Sequence, residues 1–316
     1  MKMANKCLYC YEPLDGGGDF HAKCSLEFFG TTNPPSIAYT FNQMADLAKD
    51  VVERSVAIPG VQAKLSMSIV KESMENSDCR LTVVGALGGN FILKPPTEVF
   101  PEMPENEHVT MRIAESFGIR VVPSSLIRLA SGEISYLTRR IDRTNSGEKI
   151  HMLDMFQITE AFDKYKSSLA KVGKALHQYS GNTLLDKIFF FELSVFSFLT
   201  GNNDMHLKNF SMIEGPSGWA LAPAYDLLNV SILNPDDTEE FALTLCGKRR
   251  KIRREHFEQL GKSMGLTDKQ IRGVFNRMIK FRPSALEWID KSFLLEKMMN
   301  AYKQVLKSRF EQLGLS

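Results

Sequence analysis

The sequence predicts an α+β protein of two lobes, the first rich in sheet and the second mainly helical, preceded by a small Cys/His module. Three observations predict it. Apolar and polar residues alternate from Val61 to Val70, and short apolar runs follow at Leu81–Val84 and Asn90–Lys94, the period-two pattern of half-buried strands. Beyond about residue 155 the apolar spacing turns helical. Ahead of both stand Cys7, Cys10, His21 and Cys24 in two short pairs around a glycine-rich turn. The expected division is therefore 1–35, 36–155 and 156–316.

In chain order, Gly30-Thr31-Thr32-Asn33-Pro34-Pro35 reads as a linker that ends the Cys/His module. Ala45–Val52 predicts a short helix. The strands come next, and the last of them stops at Pro95-Pro96. Val109, Ile113, Ala114 and Phe117 fall on a helical period within Pro104–Gly118, with Gly118 as the stop. Val121-Val122 and Ser135–Thr138 resume strands. In the second lobe the clearest helices are Leu184–Leu199, Asp268–Lys280 and Leu294–Leu313. Between the first and second of these, Phe210–Ile213, a Gly/Pro turn and Trp219–Leu221 form a hairpin.

Composition excludes several classes. The 316 residues are 43% hydrophobic and 24% charged with a formal net charge of +2, which is ordinary for a globular chain and leaves no overall basic footprint for nucleic acid. The N-terminus has no apolar signal core. The strongest apolar run, Ile188–Leu199, is interrupted by Glu192 and is too short for a bilayer. A cytoplasmic protein without membrane contact is expected. Repeats and low-complexity tracts are absent.

Five cysteines are an odd count, poorly suited to a disulfide framework. Cys7-x2-Cys10, ten intervening residues, then His21-x2-Cys24 suits a closed tetrahedral Zn²⁺ site, with three thiolates and an imidazole replacing the core of a tiny module. All four positions are filled by protein, so such a zinc is structural. Free thiols beside an unrelated histidine are the other reading. Cys79 and Cys246 have no partner pattern. The run Lys248-Arg249-Arg250-Lys251-Ile252-Arg253-Arg254 is either a solvated helix start or a patch for phosphates.

The chemistry-bearing stretch is Gly201-Asn202-Asn203-Asp204-Met205-His206-Leu207-Lys208-Asn209-Phe210, on a loop after a long apolar helix, with Asp226 after the hairpin. Moving a γ-phosphoryl group to a hydroxyl needs a carboxylate to orient the hydroxyl and accept its proton, plus oxygen ligands for Mg²⁺. Asp204 suits the first role and Asn209 with Asp226 the second. The competing reading is that Asn202, Asn203, Asp204 and Asp226 only cap helices. His206 is either a contact for phosphate or a hydrogen-bonded structural histidine. In the first lobe, strand-end Lys94 reaches nucleotide phosphates or is simply solvated. Glu107 is positioned to pair with it. The loop Ile58-Pro59-Gly60-Val61-Gln62 either approaches phosphate closely through its glycine or is a plain turn. In sum this is a bilobal, protein-kinase-like plan.

At these residues the chain resembles the HipA-type serine/threonine kinases, toxin components of bacterial toxin–antitoxin systems, over roughly residues 50 to 315. The matching stretches are Ile58–Leu65, Phe91–Lys94, Asn106-Glu107, Thr138–Arg143, Asp154–Gln157, Gly201–Ser211 and Pro223–Asp226. The resemblance implies Asp204 as catalytic base, with His206 beside it, and Asn209 and Asp226 on Mg²⁺. It implies ATP binding by Pro59, Gly60, Val61, Gln62, Lys64, Lys94, Glu107, Lys208 and Tyr225, with Leu153, Asp154 and Met155 as the hinge against adenine. It further implies a protein serine substrate such as an aminoacyl-tRNA synthetase. The implied partners are a helix-turn-helix antitoxin that alone touches DNA and, for this short form, a separate small protein supplying the missing N-terminal subdomain. Ala57 stands where the family usually has an autophosphorylated serine, leaving Ser55 as the nearby candidate. The Asp-x-His-x2-Asn signature also resembles lipid kinases, and a small-molecule kinase or a catalytically silent, partner-binding relative are the remaining alternatives.

Overall fold

The computed structural model describes residues 5–54, 64–71, 79–85, 88–144 and 146–315. The expected nucleotide loop Pro59–Gln62, with Ser55 and Ala57, lies outside the described residues. Contacts divide the chain into two compact units. One comprises residues 1–108, 122–149 and 291–293. The other comprises 109–121, 150–290 and 294–316.

The first unit is built on a sheet. Helix α1 (Ala22–Phe29) is followed by strand β1 (Ser36–Ile37), helix α2 (Phe41–Arg54) and strands β2 (Leu65–Lys71), β3 (Cys79–Val83) and β4 (Phe91–Lys94). Helix α3 (Met103–Ser116) begins in this unit, and β5 (Ser124–Arg128) and β6 (Ile134–Arg139) complete it. The strand order is β1-β3-β2-β4-β6-β5, with β1 parallel to β3 and the other pairs antiparallel. Leu65 and Met67 of β2 are buried and Ser66 and Ser68 less so, which is the alternation that placed a strand here. Gly89 turns the chain into β4 at φ +78°, where a Cβ would lie 2.5 Å from the Met67 carbonyl oxygen, so only glycine fits.

The Cys/His segment is not a separate body. Cys7, Tyr9, Cys24, Phe28 and Phe29 share one hydrophobic core with Leu65, Met67, Phe91, Leu93 and Leu137, and the Phe28 and Phe91 rings meet edge to face at 5.9 Å. Thus the expected boundary at residue 35 has no counterpart in the contacts. A segment of about thirty residues buries too little surface to stand alone, and here it finds its apolar partners on the sheet.

In the second unit, β7 (Met152–Asp154), β8 (Ser211–Gly215) and β9 (Gly218–Leu221) form a three-stranded antiparallel sheet. Around it are helices α4 (Met155–Ile158), α5 (Leu169–Tyr179), α6 (Thr183–Leu199), α7 (Val230–Leu233), α8 (Arg254–Ser263), α9 (Asp268–Lys291) and α10 (Glu296–Gln312). Helix α6 is buried continuously from Phe189 to Leu199, as a helix that is apolar on all faces must be. Buried Asp186 accepts hydrogen bonds from Leu221 N–H at 2.7 Å and Ser180 Oγ at 2.7 Å, tying the end of β9 to α6. Among the described residues no helix is long and apolar enough to cross a membrane.

Several elements differ from expectation. Helix α2 starts at Phe41 and not Ala45, and the strand expected at Val121-Val122 is displaced to Ser124–Arg128, leaving Val121 in an isolated bridge to Ala224. Helix α9 was expected to stop at Lys280 but runs through Pro283 to Lys291. Proline removes one helical hydrogen bond. Burial of Ala285 and Ile289 beyond it offsets that loss.

Candidate active site

The loop after α6 is shaped by its first residue. Gly201 has φ +71°, and a Cβ there would lie 2.7 Å from Asn229 Oδ1 and 2.8 Å from Val305 Cγ1. This turns the chain at once, and Asn202 N–H returns to the Ser197 carbonyl at 2.8 Å. The side chain of Asn202 then joins two candidate residues. Its Nδ2 donates to the Asp226 carbonyl at 3.2 Å, and its Oδ1 accepts from Asp204 N–H at 3.3 Å. Asn203 donates to Asp237 Oδ2 and the Glu239 carbonyl. These asparagines do not cap a following helix; they fasten the loop.

Asn209 closes the loop from the other end. Its Nδ2 donates to the Asp204 carbonyl at 3.0 Å, which turns the opposite end of the amide, the acceptor Oδ1, away from that carbonyl. His206 N–H also donates to the Asp204 carbonyl, at 2.8 Å, and Leu207–Asn209 forms a single 3-10 turn. Asp226 has φ +56°, in the left-handed region where a non-glycine residue is uncommon and which recurs at functional sites. The carboxylate of Asp226 and the carboxamide of Asn209 are hard oxygen donors of the kind that suit Mg²⁺, so the residues present fit that ion.

The Asp204 carboxylate has a partner that the sequence did not reveal. Tyr165 donates from its hydroxyl to Asp204 Oδ1 at 3.0 Å, and its ring meets the His206 ring edge-on at 5.2 Å. Burial and the adjacent Asp204 charge hold the Tyr165 phenol above its ordinary range, so it remains a donor across neutral pH. Arg249 supports it, donating to the Tyr165 carbonyl at 2.5 Å while pairing with Glu239 at 3.2 Å. Other members of the basic run are also engaged: Arg254 pairs with Glu258, and Lys248 Nζ lies 3.2 Å from His256 Nε2.

Leu153, Asp154 and Met155, the expected hinge, reach the same loop through sheet pairing. Asp154 stands opposite Ser211, and Met155 N–H donates to the Phe210 carbonyl at 2.8 Å. The Asp154 carboxylate is occupied as the N-cap of α4, in a reciprocal box with Gln157. Tyr225 bonds Ser211 Oγ at 2.5 Å and the Lys208 carbonyl at 3.0 Å. Burial raises its phenol, so it stays protonated. Exposed Lys208 lays its ammonium over the Phe156 ring at 4.9 Å.

In the sheet unit, Lys94 and Glu107 form a buried ion pair at 2.6 Å, with the Lys94 ammonium 5.2 Å from the Tyr136 ring centre. Lys64 is exposed just before β2. The candidate zinc ligands Cys7, Cys10, His21 and Cys24 converge, their ligand atoms all within 4.8 Å of one another. Burial raises the thiols of Cys10 and Cys24. Burial also acts to raise that of Cys7, but hydrogen bonds from the backbone of Cys10, His21 and Tyr9 outweigh it and bring the thiol down.

Comparison with known proteins places the chain in a family. Residues 56–285 match the HipA-like C-terminal domain, and the chain belongs to that family. A putative kinase of Haemophilus influenzae is 31% identical over 57% of this chain and 54% of its own length. The putative kinase Y4dM of Sinorhizobium fredii is 29% identical over 68% and 55%. The serine/threonine-protein kinase toxin HipA of Shewanella oneidensis is 25% identical over 60% and 46%. The chain thus spans about half the length of these curated relatives. Among solved structures, the HipA, HipB and operator DNA complex of Shewanella oneidensis contains a chain that matches with a TM-score of 0.68, at 21% identity over 84% of this chain and 70% of that one. The Helicobacter pylori proinflammatory kinase CtkA matches with a TM-score of 0.53, at 15% identity over 74% and 90%. The mixed α and β fold, with its sheet-rich and helical regions, is that of these kinases.

Proposed function

We propose that this chain is an ATP- and Mg²⁺-dependent protein serine/threonine kinase that acts as the toxin of a HipA-type toxin–antitoxin pair. The observation that carries the phosphoryl-transfer reading is the self-bonded loop of Asp204, Asn209 and Asp226, held together by Asn202 and by Asn209 itself. Asp204 orients the acceptor hydroxyl and takes its proton. Tyr165 holds Oδ1 of that carboxylate so that it faces one way. Asn209 and Asp226 supply the oxygens for Mg²⁺, which when bound neutralises phosphate charge. His206 adds a polar group beside Asp204, while Lys208, Tyr225 and Leu153–Met155 contribute to nucleotide binding. In the sheet unit, Lys94, oriented by Glu107, is assigned to the phosphates, and Pro59–Lys64 to covering the nucleotide.

The division into kinase lobes at about residue 155 and the cytoplasmic location belong to the same reading. So do a protein serine substrate in the translation apparatus and a helix-turn-helix antitoxin that carries any DNA contact. The solved relative bound to HipB and operator DNA supports the antitoxin. With purified protein and radiolabelled ATP, Asp204→Asn should abolish transfer and keep ATP binding, whereas Asp226→Asn should also weaken Mg²⁺-dependent nucleotide binding. Wild-type transfer by Asp204→Asn refutes the kinase reading. Transfer to a lipid or small molecule and not to protein serine would keep the chemistry and replace the substrate class.

A further inference from the structure

The Cys/His cluster is not among the residues assigned to phosphoryl transfer, and its four ligand atoms lie within 4.8 Å of one another. In a tetrahedral site with Zn–S near 2.3 Å and Zn–N near 2.0 Å, a sulfur and a nitrogen ligand stand roughly 3.6 Å apart. His21 Nδ1 lies 3.4 Å from Cys10 Sγ and 3.8 Å from Cys24 Sγ. The other ring nitrogen, Nε2, lies 2.9 Å from the Pro13 carbonyl. Donating there fixes the tautomer and leaves the Nδ1 lone pair facing the thiols, the usual outer support of a metal-bound histidine. Cys7 is fully buried and Cys24 nearly so, while Cys10 and His21 are half-buried, and two buried thiols facing a third thiol and a ring nitrogen are a poor way to fill a core unless something bonds to them.

The segment that carries these ligands is attached to the sheet at several points. Leu126 N–H of β5 donates to the Leu8 carbonyl at 3.3 Å, and Arg128 of the same strand pairs with Asp19 at 2.9 Å. Tyr11 bonds His108 Nδ1 at 2.7 Å. Helix α1, which begins beside ligand His21 and contains ligand Cys24, places Phe28 and Phe29 on Phe91 of β4, the strand that ends at Lys94. The segment around Leu8 therefore meets strand β5, and the helix that carries Cys24 meets strand β4.

We propose that Cys7, Cys10, His21 and Cys24 bind one structural Zn²⁺ that clasps residues 5–30 onto strands β4 and β5, making the metal part of the sheet unit's core and not the centre of an independent finger. The four ligands close the coordination shell, so the ion has no open position for catalysis. The proposal is independent of the kinase reading, since it concerns metal content and local stability.

The test uses the full chain, expressed with zinc and purified without chelator with thiols reduced. Elemental analysis should give about one zinc per chain, and Co²⁺ exchanged into the site should show the visible bands of a tetrahedral thiolate-rich centre. Cys24→Ser should lose the metal, His21→Cys should keep it, and Cys246→Ser should leave the content unchanged. Should Cys24→Ser fail to fold, the wild type treated with a strong chelator gives the same readout. By hydrogen exchange, removal of the metal should speed exchange of the Leu126 amide about tenfold or more, with smaller change in buried α6. A reduced protein without metal overturns the site. Loss of zinc with unchanged protection at Leu126 overturns the clasp.

Discussion

The Lys94–Glu107 pair offers a prediction that separates stability from function. Lys94 is 4% exposed, Glu107 is 1% exposed and the charged atoms are 2.6 Å apart, so both ions have left water and each depends on the other. Removing one member of such a pair costs about 3–5 kcal/mol, because a desolvated charge is left behind, whereas replacing both by apolar side chains of similar size is near neutral. Glu107→Ala should therefore destabilise strongly. At about 2–4 °C per kcal/mol for a domain of this scale, the melting temperature should fall by roughly 10 °C. The double variant Lys94→Met with Glu107→Leu should recover most of that loss, read by thermal melting and by denaturant titration. If the pair exists to present an ammonium to phosphates, the recovered double variant should still transfer phosphate about a hundredfold more slowly than wild type. A Glu107→Ala shift of only ~2 °C would refute the energetic argument. Wild-type transfer by a folded double variant would refute the functional one.

Other expectations test single contacts. Tyr165→Phe removes a hydrogen bond to the Asp204 carboxylate; for a partly exposed donor this is about 1 kcal/mol, and kcat should drop roughly fivefold with folding unchanged. Gly201→Ala places a Cβ against Asn229 and Val305 at positive φ, so it should destabilise by about 2 kcal/mol or more and depress transfer together with stability, measured by melting and steady-state rates. Glu105, whose carboxyl burial raises to about 7 from an ordinary 4.5, contributes its full stability below pH 4.5, where folded and unfolded forms are both protonated. That contribution is lost as pH rises through 7. The loss is about 2 kcal/mol after allowance for partial exposure, and Glu105→Gln should flatten the dependence between pH 5 and 8 in denaturant titrations.

Much of the plan was legible because its signals are local. The alternation in β2, the buried helix α6, the hairpin of β8 and β9 and the order of Asp204, Asn209 and Asp226 all sit within short windows, where side-chain period and turn chemistry act directly. Likewise the two ligand pairs announced their cluster by spacing alone. Tyr165 gave no such signal: its hydroxyl reaches Asp204 from 39 positions earlier in the chain, and an isolated tyrosine in a polar loop has no period or motif. The dual role of Asn202 was equally hidden, since its bond to the Asp226 carbonyl spans 24 positions.

By itself the sequence indicated the sheet-rich and helical regions, the order of the candidate residues Asp204, Asn209 and Asp226, and the four Cys/His side chains that converge. Tertiary structure alone decided that the Cys/His segment is part of the sheet's core, because thirty residues cannot bury Phe28 and Phe29 except against Phe91 and its neighbours. It also decided that α9 continues past Pro283, and that the asparagines after α6 hold a loop together instead of capping a helix. In each case the deciding energy comes from burial or hydrogen bonding between distant parts of the chain, which a local pattern cannot encode.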